Sequence, residues 1–179
     1  MEAVGVARVL GIDPGLRRTG WGVIETVGNR LRHVGHGVIG TDAKASVPER
    51  LRALHEGLSE IVTRYAPDEA AVEETFLNRN PESTLKLGLA RGVALLAPAL
   101  ADLPVHEYAA NRIKKALVGA GHADKEQVAL MVRHLLPGVG DASTDATDAL
   151  AAAICHAHAA GTHARWRPAP EPAAAKPGP

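Results

Sequence analysis

The sequence predicts an α/β fold, a mixed five-stranded sheet with three antiparallel strands followed by two parallel ones, flanked by helices. Three observations predict it. The first 40 residues hold three strand-like segments joined only by glycine-containing turns. The segments after them alternate short apolar runs with stretches of helical spacing. No run reaches the ~18 uninterrupted apolar residues of a membrane span.

Residues 4–13 form the first strand, ending on Asp13, and residues 20–27 the second, after the turn "PGLRRTG". Gly28 and Asn29 are a hairpin signal leading into "RLRHVGHGVIG", residues 30–40. Strict alternation in that third strand puts Leu31, His33, Gly35 and Gly37 on one face and Arg32, Val34, His36 and Val38 on the other. Pro48 opens a helix on which Leu51, Leu54, Leu58, Ile61, Val62 and Tyr65 keep helical spacing until Pro67. A fourth strand covers about 69–75. Asn80 is the N-cap of the next helix, with Pro81 in its first turn. Gly88 and Gly92 leave a smooth stripe on that helix for close approach. A fifth strand spans 104–109, and short helices follow around 111–118 and 124–136, the latter carrying Val128, Met131, Val132, Leu135 and Leu136 on one face. The last helix runs from Ser143 to Ala160. One folded domain over 1–160 is therefore followed by a proline- and alanine-rich flexible tail over 161–179. The order β-β-β-α-β-α-β-α-α-α allows the first and fourth strands to be parallel neighbours.

Hydrophobic residues at 46% and charged residues at 22% fit a soluble globular protein. The formal net charge of +0 argues against a uniformly basic nucleic-acid binder but allows acids and bases to be segregated. The N-terminus runs from an acidic residue directly into a strand, unlike a signal peptide. Cys155 is the single cysteine, which excludes an internal disulfide and fits a reducing cytoplasm. The expected location is cytoplasmic, with no membrane partner.

Four acids are placed to meet. Asp13 ends the first strand, Glu73 lies near the end of the fourth, and Asp145 and Asp148 stand one turn apart at the start of the last helix. Any one of them alone reads as a cap or an exposed charge. Together they repel unless cations sit among them, and carboxylate oxygens suit Mg²⁺ or Mn²⁺. Two such ions, about 3.5–4 Å apart, stabilise attacking and leaving oxygens in phosphodiester cleavage. Glu74 neighbours Glu73 on the opposite face of the strand, so only one of the two enters the site, with Glu74 the alternative to Glu73. His156 and His158, two apart on a helix, face different ways and read as structural.

The stretches "LGIDPGLRRTGWGVI", "AVEETFLNRNPESTLKLGLARGVAL", "EYAANRIKKALVGAGHADKEQV" and "DATDALAAAICHAH" resemble, in order and over residues 8–158, the RuvC family of bacterial Holliday-junction resolvases. The resemblance implies a ribonuclease H-like fold, a homodimer, and an endodeoxyribonuclease of DNA recombination and repair. Such an enzyme makes symmetric, metal-dependent nicks across four-way junction DNA and leaves 5′-phosphates. It implies catalytic and metal-binding roles for Asp13, Glu73, Asp145 and Asp148, with two Mg²⁺ or Mn²⁺ ions per subunit. Asp13 would be shared between the ions, with Glu73 on one and the helix pair on the other. Phe76 matches an aromatic that stacks on a junction base, and Lys114 and Lys125 match basic DNA-binding positions. Arg79, Arg112 and Lys115 are close enough in sequence to extend that positive wall. Arg17 and Arg18 are further candidates for backbone contact. Cooperation with the branch-migration proteins RuvA and RuvB is implied in the same way.

Two other classes compete. The spacing from Asp13 to Gly20 also resembles the phosphate loop of actin- and hexokinase-like ATPases, but 179 residues leave no room for a second lobe. A non-catalytic junction-binding module is the other, and the intact acidic set counts against it.

Overall fold

The structure, a computed structural model, describes residues 6–28, 30–74 and 80–165, with side chains described through residue 160. β1 (Val6–Asp13), β2 (Arg18–Val27) and β3 (Arg30–Gly40) form an antiparallel meander. α1 (Val47–Tyr65) leads to β4 (Glu69–Glu74), and α2 (Pro81–Leu100) leads to β5 (Val105–Ala109). α3 (Ala110–Val118), α4 (Lys125–Leu135) and α5 (Thr144–Arg165) complete the chain. The sheet order is β3-β2-β1-β4-β5, with β4 parallel to both β1 and β5, as the order of elements predicts.

The helix boundaries follow local chemistry. Asn80 caps α2 by accepting from the backbone N–H groups of Glu82 and Ser83. Asp124 and Gln127 cap α4 reciprocally, the side chain of each accepting from the other's backbone N–H. α5 passes the expected end at Ala160 and continues through Gly161 to Arg165. An internal glycine costs a helix only about 1 kcal/mol, and the first proline beyond it is Pro168. The tail from residue 166 onward lies outside the described residues.

β3 departs from the strict alternation expected of it. Gly35 pairs with Val23 but His33 pairs with Ile24, so Val34 is an extra residue without a partner on β2. The bulge reverses the facing of the strand on one side of it. His33 and His36, expected on opposite faces, instead meet with ring nitrogens 2.8 Å apart.

Two cores sandwich the sheet. Leu10, Ile12, Val23 and Val72 pack against α1 and α2 through Leu54, Leu58, Ala90 and Ala94. Val9, Ile24, Ala71 and Tyr108 pack on the other side against α3, α4 and the apolar face of α5. On the first side Glu25 is buried, held by Arg8 from β1 and Arg32 from β3, its direct cross-strand partners. Those two guanidinium hydrogen bonds outweigh burial and hold its carboxyl below the usual carboxylate range.

α5 lies unusually close to the sheet because its floor is glycine. A methyl group at Gly11 would sit 1.9 Å from the carbonyl oxygen of Ala149, and one at Gly20 would sit 1.9 Å from that of Asp145. At Gly22 it would meet the Leu150 side chain at 2.5 Å. Backbone lies on backbone at the first two positions, and neither can yield as a flexible side chain would. Gly11→Ala is expected to destabilise the protein by about 3 kcal/mol, the upper range for overpacking. Gly40→Ala, where an added methyl meets nothing within 4 Å, should stay within about 0.5 kcal/mol. Denaturant melts of the two variants check this.

Candidate active site

The register of the sheet brings the first two acids together. Ile12 on β1 lies opposite Val72 on β4, so Asp13 and Glu73 leave the ends of adjacent parallel strands as neighbours. Facing follows from the cores. Val9 and Ala71 look toward α5, and Asp13 and Glu73 share their parity. Glu74 shares the parity of Val72 and looks toward α1 and α2, which settles the choice between the adjacent glutamates for this face.

α5 brings the other two. Gly20 pairs directly with Asp13 across β1 and β2, and the backbone of Asp145 rests on Gly20. Asp148 is one turn further along the same helix face. The start of the helix is secured by Ser143, whose hydroxyl accepts from Ala146 N–H and whose carbonyl accepts from Thr147 N–H. Both aspartates stand near the positive end of the helix dipole.

The electrostatics divide the four into two pairs. Asp145 accepts a 2.7 Å hydrogen bond from Arg18 Nε, and Asp148 is 3.2 Å from Lys125 Nζ. Among the described residues no salt bridge reaches Asp13 or Glu73. Burial, then the nearby charges of Glu73, Asp148 and Asp145, push Asp13 up from 3.8 to about 8. Burial and Asp148 push Glu73 up from 4.5 to about 7, with Lys125 and Lys114 pulling the other way. Lys125 is held above its ordinary value, first by the charge of Asp148 and then by their hydrogen bond.

Glu73 and Asp148 open onto a cleft of about 160 Å³ whose walls include Lys114, Lys125, Ile113 and Val128. Of the basic residues expected to bind DNA, Lys114 and Lys125 are therefore brought to the acids. Arg112 is not; its guanidinium lies 4.9 Å above the Tyr108 ring. Lys115 is exposed on the last turn of α3, away from the cleft lining. Phe76 and Arg79 lie outside the described residues. Arg18, a further candidate for backbone contact, is the partner of Asp145. No sequence signal points to that pairing, because 127 positions separate the two residues.

Carboxylate oxygens that are expensive to ionise together, with no nitrogen or sulfur donor among them, fit a hard divalent cation. Such a cation would reverse the upward shift of Asp13 and Glu73 by supplying the positive charge they lack.

The sequence profile of the family described as crossover junction endodeoxyribonuclease RuvC matches residues 9–156. The chain belongs to the RuvC family. A RuvC protein of Granulibacter bethesdensis is 60% identical over 164 residues, covering 92% of each chain. One from Paramagnetospirillum magneticum is 62% identical over 155 residues, covering 87% of this chain and 93% of the relative. The solved structure of Thermus thermophilus RuvC in complex with Holliday junction substrate is 38% identical, with a TM-score of 0.81. That match covers 88% of this chain and 96% of the other. The RuvC-type fold, ribonuclease H-like with its mixed sheet between helices, is thus established for the chain.

The raised carboxyls have a measurable consequence. An acid whose folded-state pKa exceeds its unfolded value binds more protons when folded, so stability falls as pH rises between the two. In chelator-treated protein, stability should fall as pH climbs from 3.8 toward about 8. Asp13→Asn should flatten that fall and melt several degrees higher at the alkaline end, at about 2–4 °C per kcal/mol. Thermal melts across this range check it, and identical profiles for parent and variant would contradict it.

Proposed function

We propose that the chain is a divalent-metal-dependent endodeoxyribonuclease that resolves four-way DNA junctions in recombination and repair. It acts as a homodimer and leaves 5′-phosphate ends. The observation that carries the reading is the convergence of Asp13, Glu73, Asp145 and Asp148 at one end of the sheet, beside a cleft edged by Lys114 and Lys125. Membership of a family described as crossover junction endodeoxyribonucleases supports it, as does likeness to a relative solved with a Holliday junction.

The four carboxylates would hold the metal, Mg²⁺ or Mn²⁺, as two ions per subunit. Bound divalent ions supply an ionised water and positive charge opposite the oxygens that become negative as a phosphodiester bond breaks. The protein's part is placement. Two strand ends fix Asp13 and Glu73, and the closely seated helix fixes Asp145 and Asp148, so little reorganisation remains when substrate arrives. Lys114 and Lys125 receive the strand's phosphate and offset its charge as it grows. Each such phosphate contact steepens the salt dependence of binding by about 0.9 in log K per decade of salt on duplex DNA.

One site cuts one strand, so paired symmetric nicks call for two copies about a two-fold axis. The outer face of α2 suits the second copy. Leu85, Leu89 and Leu96 are exposed at 67%, 39% and 51%, and Gly88 and Gly92 between them face open space. By length and composition alone α2 would also span a membrane. It is, however, seated on the core through Ala90, Ala94 and Ala97 and carries Lys86 paired with Glu82. The branch-migration proteins RuvA and RuvB are the further partners that the resemblance implies.

Asp13→Asn is expected to lower cleavage of a synthetic four-way junction by at least a thousandfold in Mg²⁺ or Mn²⁺ while leaving junction binding within a fewfold. Gel-based cleavage and mobility-shift assays on the same preparation check it. Near-normal cutting by the variant would overturn the assignment.

A further inference from the structure

At the far end of β4 from Glu73, three residues from distant parts of the chain meet. Glu69 opens β4, His106 lies on the neighbouring β5, and His156 comes down from α5. His156 Nε2 is 2.7 Å from Glu69 Oε2, and His106 Nε2 is 3.1 Å from the same oxygen. All three ligand atoms lie within 4.8 Å of one another. The two imidazole rings are 4.5 Å apart between centroids and tilted by 31°. We propose that Glu69, His106 and His156 form a second metal site, built for a borderline cation of the Zn²⁺ class and separate from the all-oxygen acidic site.

The donor set is the first argument. Two imidazole nitrogens and one carboxylate oxygen are a Zn²⁺ set, with a fourth position left for water, whereas Mg²⁺ and Ca²⁺ favour oxygen alone. Bonds of about 2.0–2.1 Å in a tetrahedron set ligand atoms roughly 3.3 Å apart, a little beyond the 3.1 Å of His106 and further beyond the 2.7 Å of His156 from the shared carboxylate oxygen. Binding therefore requires the Glu69 carboxylate to draw back from both imidazoles, which its partly exposed side chain allows.

The shell around the donors is the second argument. Metal-binding histidines have their other ring nitrogen held by a hydrogen bond, which fixes ring orientation. His156 is buried at 3% exposure, and its Nδ1 is 2.7 Å from the Tyr108 hydroxyl. Arg112 in turn lies over the Tyr108 ring. A tyrosine hydroxyl both donates and accepts, so this hydrogen bond survives when Nε2 gives up its proton to bind metal and Nδ1 becomes the N–H. Glu69 and His106 have 35% and 44% of their side chains exposed, which gives an ion a route in and water a place on it.

Position gives the site its use. Glu69 and Glu73 are four residues apart on one strand, about 13 Å at the rise of a β-strand, so the two sites share no ligand. An ion here ties β4, β5 and α5 together, and two of these elements carry the catalytic acids. The site clamps the scaffold and takes no part in the cleavage chemistry, so it stands independently of the proposed nuclease function.

The test is Zn²⁺ titration of the untagged full-length chain against a chromogenic chelator, with Co²⁺ absorption as the coordination readout and thermal melting as the stability readout. The expected result is one Zn²⁺ per chain that excess Mg²⁺ does not displace, retained by Asp13→Asn. It should come with a tetrahedral-type Co²⁺ spectrum and a raised melting temperature. His106→Ala removes an exposed ligand and Glu69→Gln preserves hydrogen bonding. Each should weaken Zn²⁺ at least tenfold while melting like the parent without metal. Absence of Zn²⁺ binding, displacement by Mg²⁺, or equal affinity in His106→Ala would each overturn the site and leave a hydrogen-bonded triad only.

Discussion

The close seating of α5 on the first two strands is the constraint on which the rest of this molecule depends. A helix resting on ordinary side chains stands about 10 Å from a sheet, and acids on it would reach the strand ends only through long, mobile side chains. Here Gly11 and Gly20 remove the intervening atoms, and the carbonyl oxygens of Ala149 and Asp145 occupy the space their Cβ atoms would need. Gly20 is also the cross-strand partner of Asp13. The same contact that packs the helix therefore delivers two aspartates to the end of β1. Stability and site geometry arise from one surface.

Electrostatics then distinguish structural from functional acids in the same sheet. Glu25 too is shielded from solvent, yet its carboxyl is held low because two arginines bind it in the ladder itself. Asp13 and Glu73 lack such partners among the described residues and are held high by burial, Asp13 also by Glu73, Asp148 and Asp145 and Glu73 also by Asp148. A fold that can neutralise a buried acid with arginine, and does so one strand away, leaves these two without that relief. Divalent cations would complete the charge balance at this end of the sheet. Arg18 and Lys125 hold the outer two acids, so the positive charge within the protein sits at the rim of the site.

Much of this was legible in the sequence because it rests on short-range rules. The turn residue Gly28, capping at Asn80, and the spacing of Asp145 and Asp148 each act over a few residues. Parity along β4 shows that only one of Glu73 and Glu74 can enter the site; the resemblance selects Glu73, and the two cores show which face each takes. What escaped depends on events that leave no periodic trace. The extra residue at Val34 reversed the facing of part of β3, because alternation carries no mark of where it is interrupted. The tie between Arg18 and Asp145 joins residues at opposite ends of the chain. Glu69, His106 and His156 have no shared spacing at all, and helical spacing relates His156 only to His158. Its actual partners come from the sheet beneath it, and only the fold reveals them.

The most direct measurement of the central claim is a crystal structure of the full-length protein soaked in Mn²⁺, read through the anomalous signal of the ion. The account predicts anomalous peaks between the strand-end carboxylates of Asp13 and Glu73 and the α5 pair, with Arg18 displaced from Asp145 or Lys125 from Asp148. Absence of signal there at saturating Mn²⁺, with both salt bridges intact and Asp13 facing only protein, would contradict it.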